Sequence, residues 1–198
     1  CSKVPQPSQC TTLSTAQKTS AGGANLVNFL RGDRSNENTL YRARQSVLGD
    51  MVDASPVYVG KPPFLYTGNG YPDYATAQRD RCPVVYAAAN DGMLHAFSAK
   101  STTRTEHADC PDAGKEMWAY VPRAVMSRMY MLADANYDIH HRFFVNASPI
   151  VGDVATRDGD TTTWRTILVG GLGAGGNAYY ALDVTAPGAP LPLWEFTD

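Results

Sequence analysis

From Val47 onward the chain alternates short apolar runs with Gly, Pro, Asn and Asp. The runs are Ser55–Gly60, Val84–Ala89, Met93–Phe97, Met117–Val121, Ser148–Gly152, Trp164–Val169, Ala178–Leu182 and Leu193–Phe196. Runs of four to six β-branched and aromatic residues closed by turn formers predict strands of an antiparallel sheet. Before them, residues 1–24 carry Ser, Thr, Gln, Pro and Gly without a hydrophobic period and read as a loop or linker end. Leu26–Leu30 starts a short helix, and Arg31–Arg44 holds charges of both signs with no core stripe. Val125, Met126, Met129 and Leu132 stand near helical spacing and predict one further helix over Arg123–Ala133. The organisation is a packing segment over 1–46 and a β region over 47–198.

The strands repeat. Asp53-Ala54-Ser55-Pro56-Val57 returns as Asn146-Ala147-Ser148-Pro149-Ile150, and Val84-Val85-Tyr86 as Ile167-Leu168-Val169. The turn and strand Asn90–Ser98 return as Gly175–Asp183, and Trp118-Ala119-Tyr120 as Trp194-Glu195-Phe196. Four strands per unit in a fixed order predict an all-β fold, a β-propeller fragment of about two four-stranded blades. A lone blade cannot bury both faces, so blades stack and cover one another. Two do not close a ring, which makes the remaining propeller blades the expected neighbours. A β-sandwich is the alternative reading of the same runs.

Composition narrows the function. A net charge of −2 and a pI near 6.1 supply no basic field, so sequence-independent nucleic-acid binding is excluded. No run approaches the roughly 18 apolar residues of a membrane-spanning helix. No secretory hydrophobic region is present, so any signal peptide is removed or lies outside this sequence. Four cysteines, Cys1, Cys10, Cys82 and Cys110, form no close pair of the kind zinc sites use. The simplest pairing is Cys1–Cys10 with Cys82–Cys110. Two other pairings, four reduced thiols and a lipoprotein start at Cys1-Ser2 remain open. Disulfides would place the chain outside the cytosol.

With these motifs in view the chain resembles the PilY1/PilC family of type IV pilus tip-associated adhesins, in the N-terminal portion of its C-terminal propeller domain. The resemblance runs from about Asn25 to Asp198. It is carried by Leu30–Ser35, Tyr41–Arg44, Leu48–Val52, Ser55–Gly60, Ala89–Phe97, Trp118–Arg123, Val169–Gly176 and Leu193–Asp198. It implies a secreted or cell-surface protein that works with minor pilins at the pilus tip in pilus biogenesis, twitching motility and adhesion to host or surface ligands. It also implies calcium in an Asp-x-Asp-x-Asp-Gly loop, expected past Asp198. The repeats are similar at fold level to quinoprotein propellers, and a PQQ-type dehydrogenase is the rival function. An outer-membrane assembly factor of the same fold is a third.

The local chemistry points away from catalysis. Gly171–Gly176 fits G-x-G-x-x-G after a strand, but a strand-like run and three prolines follow where a dinucleotide fold needs a helix, so it reads as a hairpin. Asp153, Asp158 and Asp160 are the local metal candidates. Calcium wants six to eight oxygens, and counting from Asp153 puts Ala155, Arg157 and Trp164 at ligand positions, so a solvated turn competes with that reading. Arg31-Gly32-Asp33 is the integrin tripeptide, read here as local ion pairing. His140-His141 near Asp138 lack a third ligand. Ser55 and Ser148 precede prolines at matching repeat positions, and no G-x-S-x-G or H-E-x-x-H is present. The surfaces expected to meet partners are the insertions Lys61–Arg81 and Lys100–Gly114. Phe64, Tyr66, Tyr71 and Tyr74 are the partner-binding candidates of the first, since aromatics dominate interfaces. Packing of those rings onto a blade is the competing reading.

Overall fold

The computed structural model describes residues 1–101 and 107–198. Two four-stranded antiparallel sheets form, each a simple meander in chain order. The first holds β1 (Val57–Val59), β2 (Val84–Ala89), β3 (Met93–Ser98) and β4 (Glu116–Tyr120). The second holds β5 (Ile150–Asp158), β6 (Thr161–Gly171), β7 (Ala178–Asp183) and β8 (Leu191–Thr197). Every predicted run is a strand. β5 and β6 are longer than their apolar runs because the polar stretch through Gly159 continues the pairing as far as Asp158 opposite Thr161.

Register explains which side chains enter the core. Val57, Tyr86, Ala96 and Trp118 stand in one cross-strand row of the first sheet, with Leu94 and Tyr120 on the same face. Leu168 and Leu182 form the matching row of the second sheet, with Tyr180 beside them. These two faces meet in a single apolar cluster. Successive side chains on a strand alternate faces, so the odd-numbered positions Tyr179, Ala181 and Asp183 point the other way.

Among the described residues four α-helices flank the sheets: α1 (Thr15–Ser20), α2 (Gly23–Leu30), α3 (Tyr71–Ala77) and α4 (Arg123–Met126). Three differ from the sequence reading. Residues 1–24 are not a plain loop: Ser8–Thr11 makes a 3-10 turn and α1 follows. Ser14 accepts from the Gln17 amide while the Gln17 side chain accepts from the Ser14 amide, a capping box that satisfies two orphan donors. The helix expected over Arg123–Ala133 splits into α4 and a 3-10 turn at Met129–Ala133. The buried side chains Val125, Met129 and Leu132 keep one side throughout. α3 interrupts the insertion that the sequence left without structure.

Arg31–Arg44 also does more than its charges suggest. Leu40 and Tyr41 pack with Phe29, Ala21 and Ala133 into a second small core. Arg44 is buried over the Phe29 ring, pairs with Glu37 at 2.7 Å and donates to the carbonyls of Phe29 and Asp33. A buried charge is tolerable when it is paired and hydrogen-bonded.

Candidate functional site

The insertion of residues 61–81 leaves the first sheet between β1 and β2 and lies on the second. Its root is fixed twice. Arg81 donates to the Gly60 carbonyl and to the Thr166 hydroxyl, both at 2.6 Å, and Cys82 is bonded to Cys110. Gly70, in the left-handed region at φ 77°, turns the chain into α3, whose second residue is Pro72. α3 then sets Tyr71 and Tyr74 against β5 and β6. Tyr71 is 1% exposed and donates to the Asp153 carboxylate at 2.7 Å. The Thr166 hydroxyl gives its one proton to Asp153 at 2.6 Å, so Tyr74 donates to Thr166. Burial, and then the Asp153 carboxylate, push the Tyr71 phenol well above its ordinary range.

The rings continue outward from that anchor. Trp164 meets Tyr71 edge-on at 4.7 Å and donates its indole N–H to the Asn69 carbonyl. Tyr66 stacks on Trp164 at 5.8 Å, and Phe64 stacks on Tyr66 at 5.1 Å. Of the four aromatic candidates, Tyr71 and Tyr74 therefore bind the insertion to the second sheet. Phe64 and Tyr66 stay accessible, and Leu65 between them is 94% exposed. The sequence reading missed Trp164, Leu65, Thr166 and Arg81. Trp164 alone left a signal, a tryptophan within a strand run. The second insertion, Lys100–Gly114, is described only in part, since residues 102–106 lie outside the described residues.

Asp153 is thus committed to hydroxyl donors. Asp158 stands five residues along the same strand, about 16 Å away and on the opposite face, and Asp160 lies in the turn beyond it. The structure does not bring the three together. Among the described residues no group of three His, Cys, Asp or Glu side chains is placed to hold a metal ion.

The repeat-related positions meet each other. The Ser55 amide donates to the Ser148 hydroxyl at 2.8 Å, and the Asn146 side chain donates to Asp53 at 2.5 Å. Asn90, 1% exposed, donates to Asp50 and Asn146 and accepts from the Phe144 amide. The two serines thereby meet at the seam between the sheets. An open cleft of about 690 Å³ lies beside this seam. Its walls include residues 42–50, Asn90, Asp91, Tyr137, His141 and Phe143. His141 meets Asp50 there at 3.1 Å. Burial works against the charge of Asp50, but the Asn90 and His141 hydrogen bonds hold its carboxyl below the usual range. His140 points to Asp134 at 3.7 Å, so the adjacent histidines diverge.

The remaining motifs resolve locally. Gly173–Gly175 forms a 3-10 turn that returns β6 to β7, a hairpin connection. Arg31-Gly32-Asp33 follows α2, where the Asp33 carboxylate accepts from the Ser35 amide at 2.8 Å. The disulfides are Cys1–Cys10 and Cys82–Cys110. No helix among the described residues is long and apolar enough to cross a membrane.

Residues 48–197 match the family model of the PilY1 beta-propeller domain. The type IV pilus biogenesis factor PilY1 homolog of Xylella fastidiosa is 40% identical over 188 residues, which cover 89% of this chain and 14% of that protein. The type IV pilus biogenesis factor PilY1 of Pseudomonas aeruginosa strain PAK is 40% identical over 87% of this chain and 14% of its own length. The chain therefore spans about one seventh of these relatives. A crystal structure of the Pseudomonas aeruginosa PilY1 C-terminal domain aligns with 71% of this chain and 25% of its own, at 35% identity and a TM-score of 0.49.

Proposed function

The chain belongs to the PilY1 beta-propeller family, and from that premise we propose that it is a non-catalytic part of a type IV pilus biogenesis factor, a rigid propeller scaffold for partners at the pilus tip. The observation that carries this reading is the insertion of residues 61–81. It is anchored at Arg81, Tyr71, Tyr74 and Trp164, and it presents Phe64, Leu65 and Tyr66 to solvent. Aromatic anchors held in place before binding lose little entropy on association, which is how a loop on a rigid frame makes an interface. Minor pilins are the partners this reading assigns to the surface, and the cell surface at the pilus tip is its place of action.

The test uses the full-length protein. Leu65→Asp alters a side chain that is 94% exposed and leaves the stacked rings in place, and binding to purified minor pilins is measured by biolayer interferometry. An affinity loss of tenfold or more, about 1.4 kcal/mol, supports the surface. Unchanged affinity rejects it. Tyr71→Phe serves as a control for the anchor, because it removes a hydroxyl that faces Asp153 and not the solvent.

A further inference from the structure

His95 lies on β3, 6% exposed, with a carboxylate at each ring nitrogen. Nε2 is 3.0 Å from Asp91 in the β2–β3 turn, and Nδ1 is 2.7 Å from Glu116 at the start of β4. Phe97 stacks beside the ring at 5.7 Å. Asp91 and Glu116 are the charged groups that face it. A carboxylate only accepts, so both contacts are hydrogen bonds only if both nitrogens carry protons. The geometry therefore fits the imidazolium. A neutral ring has one proton and must set a lone pair against one of the two carboxylates.

The two carboxylates are not equivalent. Asp91 has a side-chain exposure of 14% and is held in place by donors other than His95: the Gly49 amide at 2.8 Å and the Met93 amide at 3.1 Å. Glu116 is 47% exposed in its side chain, and water is within its reach. We propose that His95, Asp91 and Glu116 form a pH-dependent clip, in which the charged ring holds Glu116 on the sheet and the neutral ring keeps its proton toward Asp91 and releases Glu116 to solvent. Glu116 directly follows the return of the chain at residues 114–115, where Gly114 donates to the Ser98 carbonyl and Ser98 to the Lys115 carbonyl. The clip thus acts on the root of β4.

Burial alone would disfavour the charged ring, but Asp91 and then Glu116 outweigh it and raise the His95 pKa. A raised folded pKa gives stability that is complete below the ordinary histidine value and is lost as pH rises through the folded midpoint. The test is nitrogen-detected imidazole NMR on the whole chain from pH 5 to 9, with the Glu116–His95 contact followed by NOE. The expected result is protons on both His95 nitrogens at low pH, a midpoint above that of free histidine, and loss of the Glu116 contact above that midpoint while the Gly49 amide stays bonded. Glu116→Gln, at a half-exposed position, lowers the midpoint. An unprotonated His95 nitrogen at pH 5, a Glu116 contact that survives above the midpoint, or a midpoint indifferent to Glu116→Gln would each overturn the proposal.

Discussion

At the scale of single residues, the core contains polar atoms that nothing satisfies. Among the described residues the hydroxyls of Tyr41, Tyr86 and Tyr180 are buried without a hydrogen-bond partner. Burial pushes the Tyr41 phenol up to about 12. An unpaired buried hydroxyl costs about 1–3 kcal/mol, so its removal at constant shape relieves a penalty. Tyr86→Phe and Tyr180→Phe are therefore expected to leave stability unchanged or to raise it by about 1 kcal/mol in urea unfolding. Glycines divide by the space beside them. A Cβ on Gly175 would stand 1.8 Å from the Phe144 carbonyl oxygen, whereas one on Gly152 would meet nothing within 4 Å. Gly175→Ala should cost about 3 kcal/mol and Gly152→Ala almost nothing, measured by the same unfolding midpoint. The hairpin at Gly171–Gly176 was legible from its composition. Which of its glycines has no room for a methyl group depends on Phe144, some thirty residues earlier, and no local pattern encodes that.

At the scale of elements, strands were legible because each carries its own period and its own closing turn. Asn90-Asp91-Gly92 announced the β2–β3 hairpin, and Gly92 takes the left-handed conformation, φ 93°, that the turn needs. Short helices were less legible. The six residues of α1 bury no side chain, so no apolar stripe marks them, and residues 1–24 read as loop although Ser14 and Gln17 stand at capping-box spacing. The candidate site was half legible: tyrosines in the insertion were visible, but their division into anchors and exposed rings depends on β5 and β6, some eighty residues later. Two outcomes follow. Tyr71→Phe deletes a buried bond to a carboxylate and should destabilise by about 2 kcal/mol, read from chemical unfolding. Replacing Cys82 and Cys110 by Ser opens a loop of 28 residues, and Cys1 and Cys10 a loop of 9. Chain entropy gives losses of about 3.6 and 2.6 kcal/mol, so the first pair should lower the melting temperature more.

At the scale of the whole molecule, the two sheets bury one face each against the other, and among the described residues much of the outer face of the second stays exposed. Ile150, Val154, Tyr179, Trp194 and Phe196 share that face and are 44–74% exposed. A contiguous apolar patch on a sheet marks an interaction surface. The chain alone is expected to bind a hydrophobic dye such as ANS strongly, and the full-length protein to bind far less per molecule. Equal dye binding would show that no other part of the protein covers the face. The repeat in the sequence made the stacking of units legible, and the pairing of Ser55 with Ser148 shows the two copies in contact at corresponding points. The insertion that begins in the first sheet and ends its reach on the second has a mechanical meaning. Tension applied at Leu65 would enter both sheets at once, through Gly60 at the end of β1 in the first and through Thr166 and the Trp164 ring of β6 in the second. Load entering there would be divided between strands of both sheets, so that the short β1 would not carry it alone.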